Sequence, residues 1–356
     1  MNRSIIYVLL TLVALATAQI VSAAELGPEE IYFLEGDKFL DQGQYDQAID
    51  SLDKAIALNP HYFIAFQARG SAYYAKGQYQ LAAADFSRAI EIVPSDAANY
   101  AFRGYAYYDL QQYDKAIADF NKAQQLGETD AALLVARGGA HYTQGAHEVA
   151  VNDYSDALSI DPNNVQAINA RAQTYLEMGS FEPAAADFGK QIAMRPVDPT
   201  GYVGRGTAWF ELGRFEQSAA DFSKAIELAP NDRSNYVLRA AAYLAQEKFA
   251  LAEADLDHAL SLEADDAEVC NMRGTARYYQ EKKEQALADF ERALTLDPDN
   301  ADALWNKAQI CDELERGDEA LQAYRDFIKS APQDSAYLAS IDQAKTRVAE
   351  LEQGKE

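Results

Sequence analysis

Apolar and small residues alternate along the chain in two stripes. In residues 63–96, Phe66, Gly70 and Tyr73 stand at i, i+4 and i+7, which is one face of a helix. Gly77 follows, and glycine readily takes the left-handed conformation that ends a helix. Ala82, Phe86 and Ala89 form the stripe of a second helix. Pro94 cannot continue that helix and fixes the turn to the next pair. Prolines recur at 60, 94, 162, 196, 230, 298 and 332, always 34 residues or twice 34 apart. Glu128 and Ala264 fill the two skipped places. A fixed period of this length predicts an all-α solenoid of stacked helix pairs. The nine repeats are 29–62, 63–96, 97–130, 131–164, 165–198, 199–232, 233–266, 267–300 and 301–334.

Small residues sit where paired helices must approach. Position 8 of every repeat is Gly or Ala: Gly36, Gly70, Gly104, Gly138, Ala172, Gly206, Ala240, Gly274 and Ala308. Position 20 is Ala in eight repeats and Ser218 in the other. Beyond the ninth repeat, Tyr337, Leu338, Ile341, Ala344, Val348 and Leu351 make one apolar stripe opposite Asp342, Lys345 and Glu350. Residues 335–351 therefore read as a capping helix with a polar outer side, and 352–356 as a disordered tail.

The pattern resembles the tetratricopeptide repeat family, which wants a bulky residue at position 4, small at 8, aromatic at 11, small at 20, aromatic at 24, small at 27 and proline at 32. In 199–232 these are Tyr202, Gly206, Trp209, Ser218, Phe222, Ala225 and Pro230. Departures are local. Arg277 and Cys311 replace the aromatic at 11, and Gln191 and Phe327 the small residue at 27, which suggests looser packing or special contacts. The resemblance implies a right-handed superhelix whose first helices line a concave groove.

Position 7 is Arg, and position 23 Asp, in the same seven repeats: Arg69, Arg103, Arg137, Arg171, Arg205, Arg239 and Arg273 with Asp85, Asp119, Asp153, Asp187, Asp221, Asp255 and Asp289. Glu35 and Ser51 stand there in the first repeat, Lys307 and Ala323 in the ninth. Because the two features come and go together, they are expected to be partly buried ion pairs inside each repeat. The competing use is a basic ladder for an acidic ligand.

Composition narrows the function. The formal net charge is −25, so nucleic acid is not expected as a partner, since phosphate binding needs a basic surface. Residues 1–24 have the build of a secretory signal peptide: Arg3, an apolar run from Ile5 to Ala16, then small residues ending in Ala23 and Ala24. Export to the periplasm or cell envelope follows. The alternative is an uncleaved inner-membrane anchor, because Ser4 to Ala24 carries no charge. Membrane contact is expected only in that case. Cys270 and Cys311 fall in successive first helices, out of step, and are expected to be buried thiols rather than a disulfide.

No catalytic constellation emerges. His147-Glu148 lacks the second histidine of a zinc helix, and His141 and His147 stand at core positions 11 and 17 as packing substitutes. Gly204-Arg205-Gly206 follows no strand, so it is no phosphate loop. Residues 297–308 resemble a calcium loop only superficially, with Asp302 at its sixth place and Ala308 at its twelfth. Neither an enzyme, a metal nor a cofactor is expected.

By the resemblance, positions 2, 5, 6, 9, 12 and 13 face a ligand. They supply the candidate site residues Tyr74, Tyr105, Tyr108, Tyr142, Asn169, Gln173, Phe210, Glu211, Asn271 and Tyr278. Tyr279, Asn306, Gln309 and the acids Asp109, Glu177, Glu268, Asp312 and Glu313 belong to the same face. None is Lys or Arg, which argues against the carboxylate clamp of chaperone-binding relatives. Tyrosine offers contact area at low entropic cost and amides bond a backbone, so an extended, neutral or basic protein segment is the expected partner. The same lining suits a polysaccharide, giving the alternative of a carbohydrate-binding accessory protein for polysaccharide export. Some of these tyrosines have a competing use, packing between neighbouring first helices.

Overall fold

The structure is a computed structural model that describes residues 26–333 and 335–353. The expected leader lies outside the described residues. Among them are nineteen helices and no strand. The chain divides into two compact units, 1–178 and 179–356, and the division falls inside the fifth repeat, between its two helices.

The first unit holds α1 (Pro28–Asp41), α2 (Tyr45–Leu58), α3 (Phe63–Ala75), α4 (Tyr79–Ile92), α5 (Ala97–Asp109), α6 (Tyr113–Gln125), α7 (Ala131–Thr143), α8 (His147–Ile160) and α9 (Val165–Glu177). The second holds α10 (Phe181–Met194), α11 (Pro199–Glu211), α12 (Phe215–Leu228), α13 (Arg233–Ala245), α14 (Phe249–Leu262), α15 (Ala267–Tyr278), α16 (Lys283–Leu296), α17 (Ala301–Glu313), α18 (Gly317–Ser330) and α19 (Leu338–Gln353). Within each unit, every helix packs on its neighbours in sequence.

Three devices set this pattern. First, position 34 caps the next first helix. The side chains of Asp96, Asp130, Asn164, Asp198, Asp232, Asp266 and Asn300 each accept a backbone N–H there. Second, the turn at position 15 takes a left-handed residue. It is glycine in some repeats, but Gln111, Glu247, Glu281 and Glu315 hold φ of 58°, 58°, 61° and 60° without that freedom. Third, the small residue at position 8 meets the large residue at 24. A Cβ on Gly274 would sit 2.5 Å from the Phe290 ring, and one on Gly70 2.9 Å from Phe86. The rings of Phe86, Phe120, Phe222 and Phe290 are fully buried as a result.

The departures from the repeat pattern carry special contacts rather than exposure. Gln191 is buried and donates to Thr200 Oγ1 at 2.9 Å. Phe327 packs against Trp305 and Tyr337, so the larger residue meets the cap. Arg277 reaches Glu253, Asp257 and Asp289. Cys270 and Cys311 are buried, unbridged thiols, and burial pushes both above the usual thiol pKa. His147 lies edge-on to Tyr142, ring centres 5.4 Å apart, and His141 is half-buried beside Asp153. The cap departs from expectation at its ends. It begins at Leu338 and continues through Glu352 and Gln353, two residues of the expected tail. An ion pair between Arg325 and Glu352 holds that last turn against α18.

The arginines do more than staple their own repeat. Arg103 Nε and Nη2 bond Asp119 at 2.7 and 2.8 Å, and Arg69–Asp85, Arg137–Asp153, Arg205–Asp221, Arg239–Asp255 and Arg273–Asp289 repeat the two-pronged geometry. The third nitrogen reaches back to position 25 of the preceding repeat. There it meets Asp53, Ser87, Asn121, Ser155, Ser223 or Asp257 from Arg69, Arg103, Arg137, Arg171, Arg239 and Arg273. In the first repeat Ser51 donates to Glu35 at 3.2 Å in the forward place, and in the ninth Lys307 reaches back to Glu291. At Arg205 the backward place is Gly189, which offers no side chain. The column is therefore scaffold, with aspartates buried under forked guanidinium groups.

Candidate groove residues and a cleft on the first helices

The first helices place the candidate residues in three kinds of surroundings. Two are corrected by burial. Tyr74 is 3% and Tyr105 7% exposed, so neither is available to line a groove. Tyr105 lies edge-on to Phe120 at 5.1 Å and fills core space. Tyr74 spends its hydroxyl on Asp109, one repeat on.

That bond belongs to a series. Tyr74, Tyr142 and Tyr278, all at position 12, donate to Asp109, Glu177 and Glu313, all at position 13 of the following repeat. The carboxylate acceptor, with burial second, pushes the Tyr142 phenol up to about 12, and Tyr278 likewise to about 12. These tyrosines stay protonated at neutral pH and link neighbouring first helices. In the first unit Tyr108 is half-buried, edge-on to Tyr113 at 5.6 Å, while Asn169 and Gln173 are exposed. In the second, Phe210 is half-buried against Phe215 and Glu211 is exposed.

Around Asn271 and Tyr278 the second unit forms a cleft. It lies between α15 and α17 and is lined by Thr275, Tyr278, Tyr279, Asn306 and Gln309, with Phe290 behind them. Its free volume is about 60 Å3. Asn306 donates to Asn271 Oδ1 at 3.0 Å across the two helices. Tyr279 stacks on Phe249, ring centres 4.7 Å apart and planes 13° from parallel, and remains 58% exposed. Tyr278 stands at 75° to it. Glu313 takes Lys283 at 2.9 Å as well as Tyr278, which holds its carboxyl below the usual range. Asp312 is bound twice by Arg347 of the cap. Position 9 marked the face that holds Thr275, but nothing in the local sequence marks Phe249, which joins from a second helix.

Family models described as tetratricopeptide repeat match residues 33–97, 97–129, 169–233 and 271–335, and one described as TPR repeat matches 138–179. The chain belongs to the tetratricopeptide repeat family. A comparison with curated proteins returns no match. Among solved structures, the C-terminal part of a TPR repeat-containing protein from Cytophaga hutchinsonii is similar at 24% identity. It covers 67% of this chain and 97% of that one, with a TM-score of 0.57, and shows the shared fold. A tetratricopeptide repeat protein from Parabacteroides merdae is 23% identical over 71% of this chain and 97% of its own, at a TM-score of 0.49. YrrB, described as a TPR protein with an unusual peptide-binding site, is 20% identical over 52% of this chain and 95% of its own, at 0.48.

Tetratricopeptide repeats are generally non-catalytic scaffolds for protein–protein interaction. In this array the charges that recur from repeat to repeat belong to the framework, and the first-helix residues that vary between repeats differ in exposure. Among the described residues no group of His, Cys, Asp and Glu is arranged to hold a metal ion, and no helix is long and apolar enough to cross a membrane.

Proposed function

We propose that this tetratricopeptide protein holds an extended segment of another protein against the exposed faces of its first helices, as a non-catalytic scaffold of the cell envelope, in assembly or secretion. The observation that carries this is the aromatic and amide surface left open on those helices: the Tyr279 platform with Gln309 in one unit, and Asn169 and Gln173 in the other. Helices have no free backbone donors along their length, so side-chain amides must read the partner's backbone. The envelope location rests on the leader-like residues 1–24 and is checked by N-terminal sequencing of the protein from fractionated cells.

Photoreactive residues at Tyr108 and Phe210, in intact cells, test the groove. Crosslinks to one protein at both sites are expected. A partner that is captured while both sites stay uncrosslinked overturns the groove as the binding face. A glycan array on the purified chain decides the carbohydrate alternative, for which the exposed Tyr279 ring is the supporting feature.

A further inference from the structure

We infer that the cleft between α15 and α17 selects a proline in its partner, within an extended segment that is neutral at the cleft and basic on either side. This rests on the reading of the first helices as a peptide-binding face. Three observations fix the chemistry.

The lining has no charged group, and the two carboxylates beside it are already engaged: Glu313 by Tyr278 and Lys283, Asp312 by Arg347. A cationic side chain entering the cleft meets no carboxylate in the lining itself. The aromatic geometry asks instead for a flat apolar ring. Phe249 backs one side of Tyr279, and Tyr278 makes a wall at 75°. A proline ring lies on such a platform and against such a wall. The cleft is shallow and open, with a free volume of about 60 Å3, so a ring lies across it rather than being enclosed.

The polar side agrees. A polyproline II segment has no internal hydrogen bonds and presents its carbonyls outward, already ordered. The Gln309 amide beside the cleft supplies donors for them. The flanks follow from the charge of the whole chain, −25, which favours basic residues outside the cleft.

The test is fluorescence anisotropy on the full chain with fluorescein-labelled Lys-Pro-Pro-Pro-Pro-Lys, the same peptide with alanine for proline, and cellohexaose as competitor. The proline peptide is expected to bind and the alanine peptide to bind at least about tenfold more weakly. Tyr279→Ala, at an exposed position, is expected to weaken the proline peptide about tenfold or more, and Tyr279→Phe to leave it near wild type. Equal binding of the two peptides, an unchanged Kd in Tyr279→Ala, or displacement by cellohexaose each overturns the inference. No binding of the proline peptide overturns it too. The groove reading stands or falls separately on the crosslinks at 108 and 210.

Discussion

A buried carboxylate under a forked guanidinium recurs in repeat after repeat, and it sets what a single substitution does. In Arg239→Ala the Asp255 carboxylate, buried on α14, loses two bonds. Removing one partner of a buried pair typically costs about 3–5 kcal/mol, and Arg239 is part-exposed, so about 2–3 kcal/mol is expected. Chemical denaturation measures it. Arg239→Met with Asp255→Leu is expected to recover most of the loss, because no orphan charge remains. A second residue-scale effect is a pH dependence. Burial, with Asp41 adding repulsion, raises Asp37 from 3.8 to about 6. The folded state then binds that proton more tightly than the unfolded state. Its contribution is fully present below about pH 4 and is lost as pH rises to about 6. Asp37→Asn is expected to be more stable than wild type at pH 7 and to show no such gain at pH 4, in parallel melts.

Between helices, two places fall short of the repeat's own rule. Gly189 sits inside α10, and a Cβ there would meet Arg205 Nη1 at a relaxed 3.9 Å. Gly189→Ser removes a helix glycine and offers the missing backward acceptor, so a gain of about 1 kcal/mol is expected in urea titration. Glu247 holds a left-handed turn between α13 and α14. Glu247→Gly is expected to stabilise by about 1 kcal/mol, by the same measurement. These elements also show what the sequence can and cannot say. The proline spacing and the stripes place the helices, because proline and glycine act locally on the backbone. The forward ion pair is legible because both partners keep their identity. The backward arm is not, because Asp53, Ser87, Asn121, Ser155, Ser223 and Asp257 share only the ability to accept a hydrogen bond. The groove is less legible still. Tyr74 and Tyr278 share a position and a carboxylate contact, yet only Tyr278 borders an open cleft, and that depends on side chains from other helices.

For the molecule as a whole, stability depends on how a stack of helix pairs is closed. In the second unit α19 closes it, with Ile341 and Ala344 buried and Tyr337 against Phe327. Ending the chain at residue 334 leaves α18, the most amphipathic helix, uncovered along one side. Loss of the most labile melting step and concentration-dependent self-association are expected, read by calorimetry and light scattering. Variants in the first unit are expected to leave that step alone, since each repeat contacts its neighbours and little else.

The two-way reach of the arginines has a consequence for how this chain changes length. Arg103 and Arg239, for example, span sixteen residues forward and sixteen back, so these bonds count residues, not repeats. Deleting 97–130 joins Arg137 to a predecessor whose position 25 is Ser87, an acceptor like the one it lost. Deleting a few residues between an arginine and either partner breaks the sixteen-residue spacing its bonds need. The ladder thus works as a proofreading ruler for duplication and loss: it accepts insertions of 34 and rejects near misses.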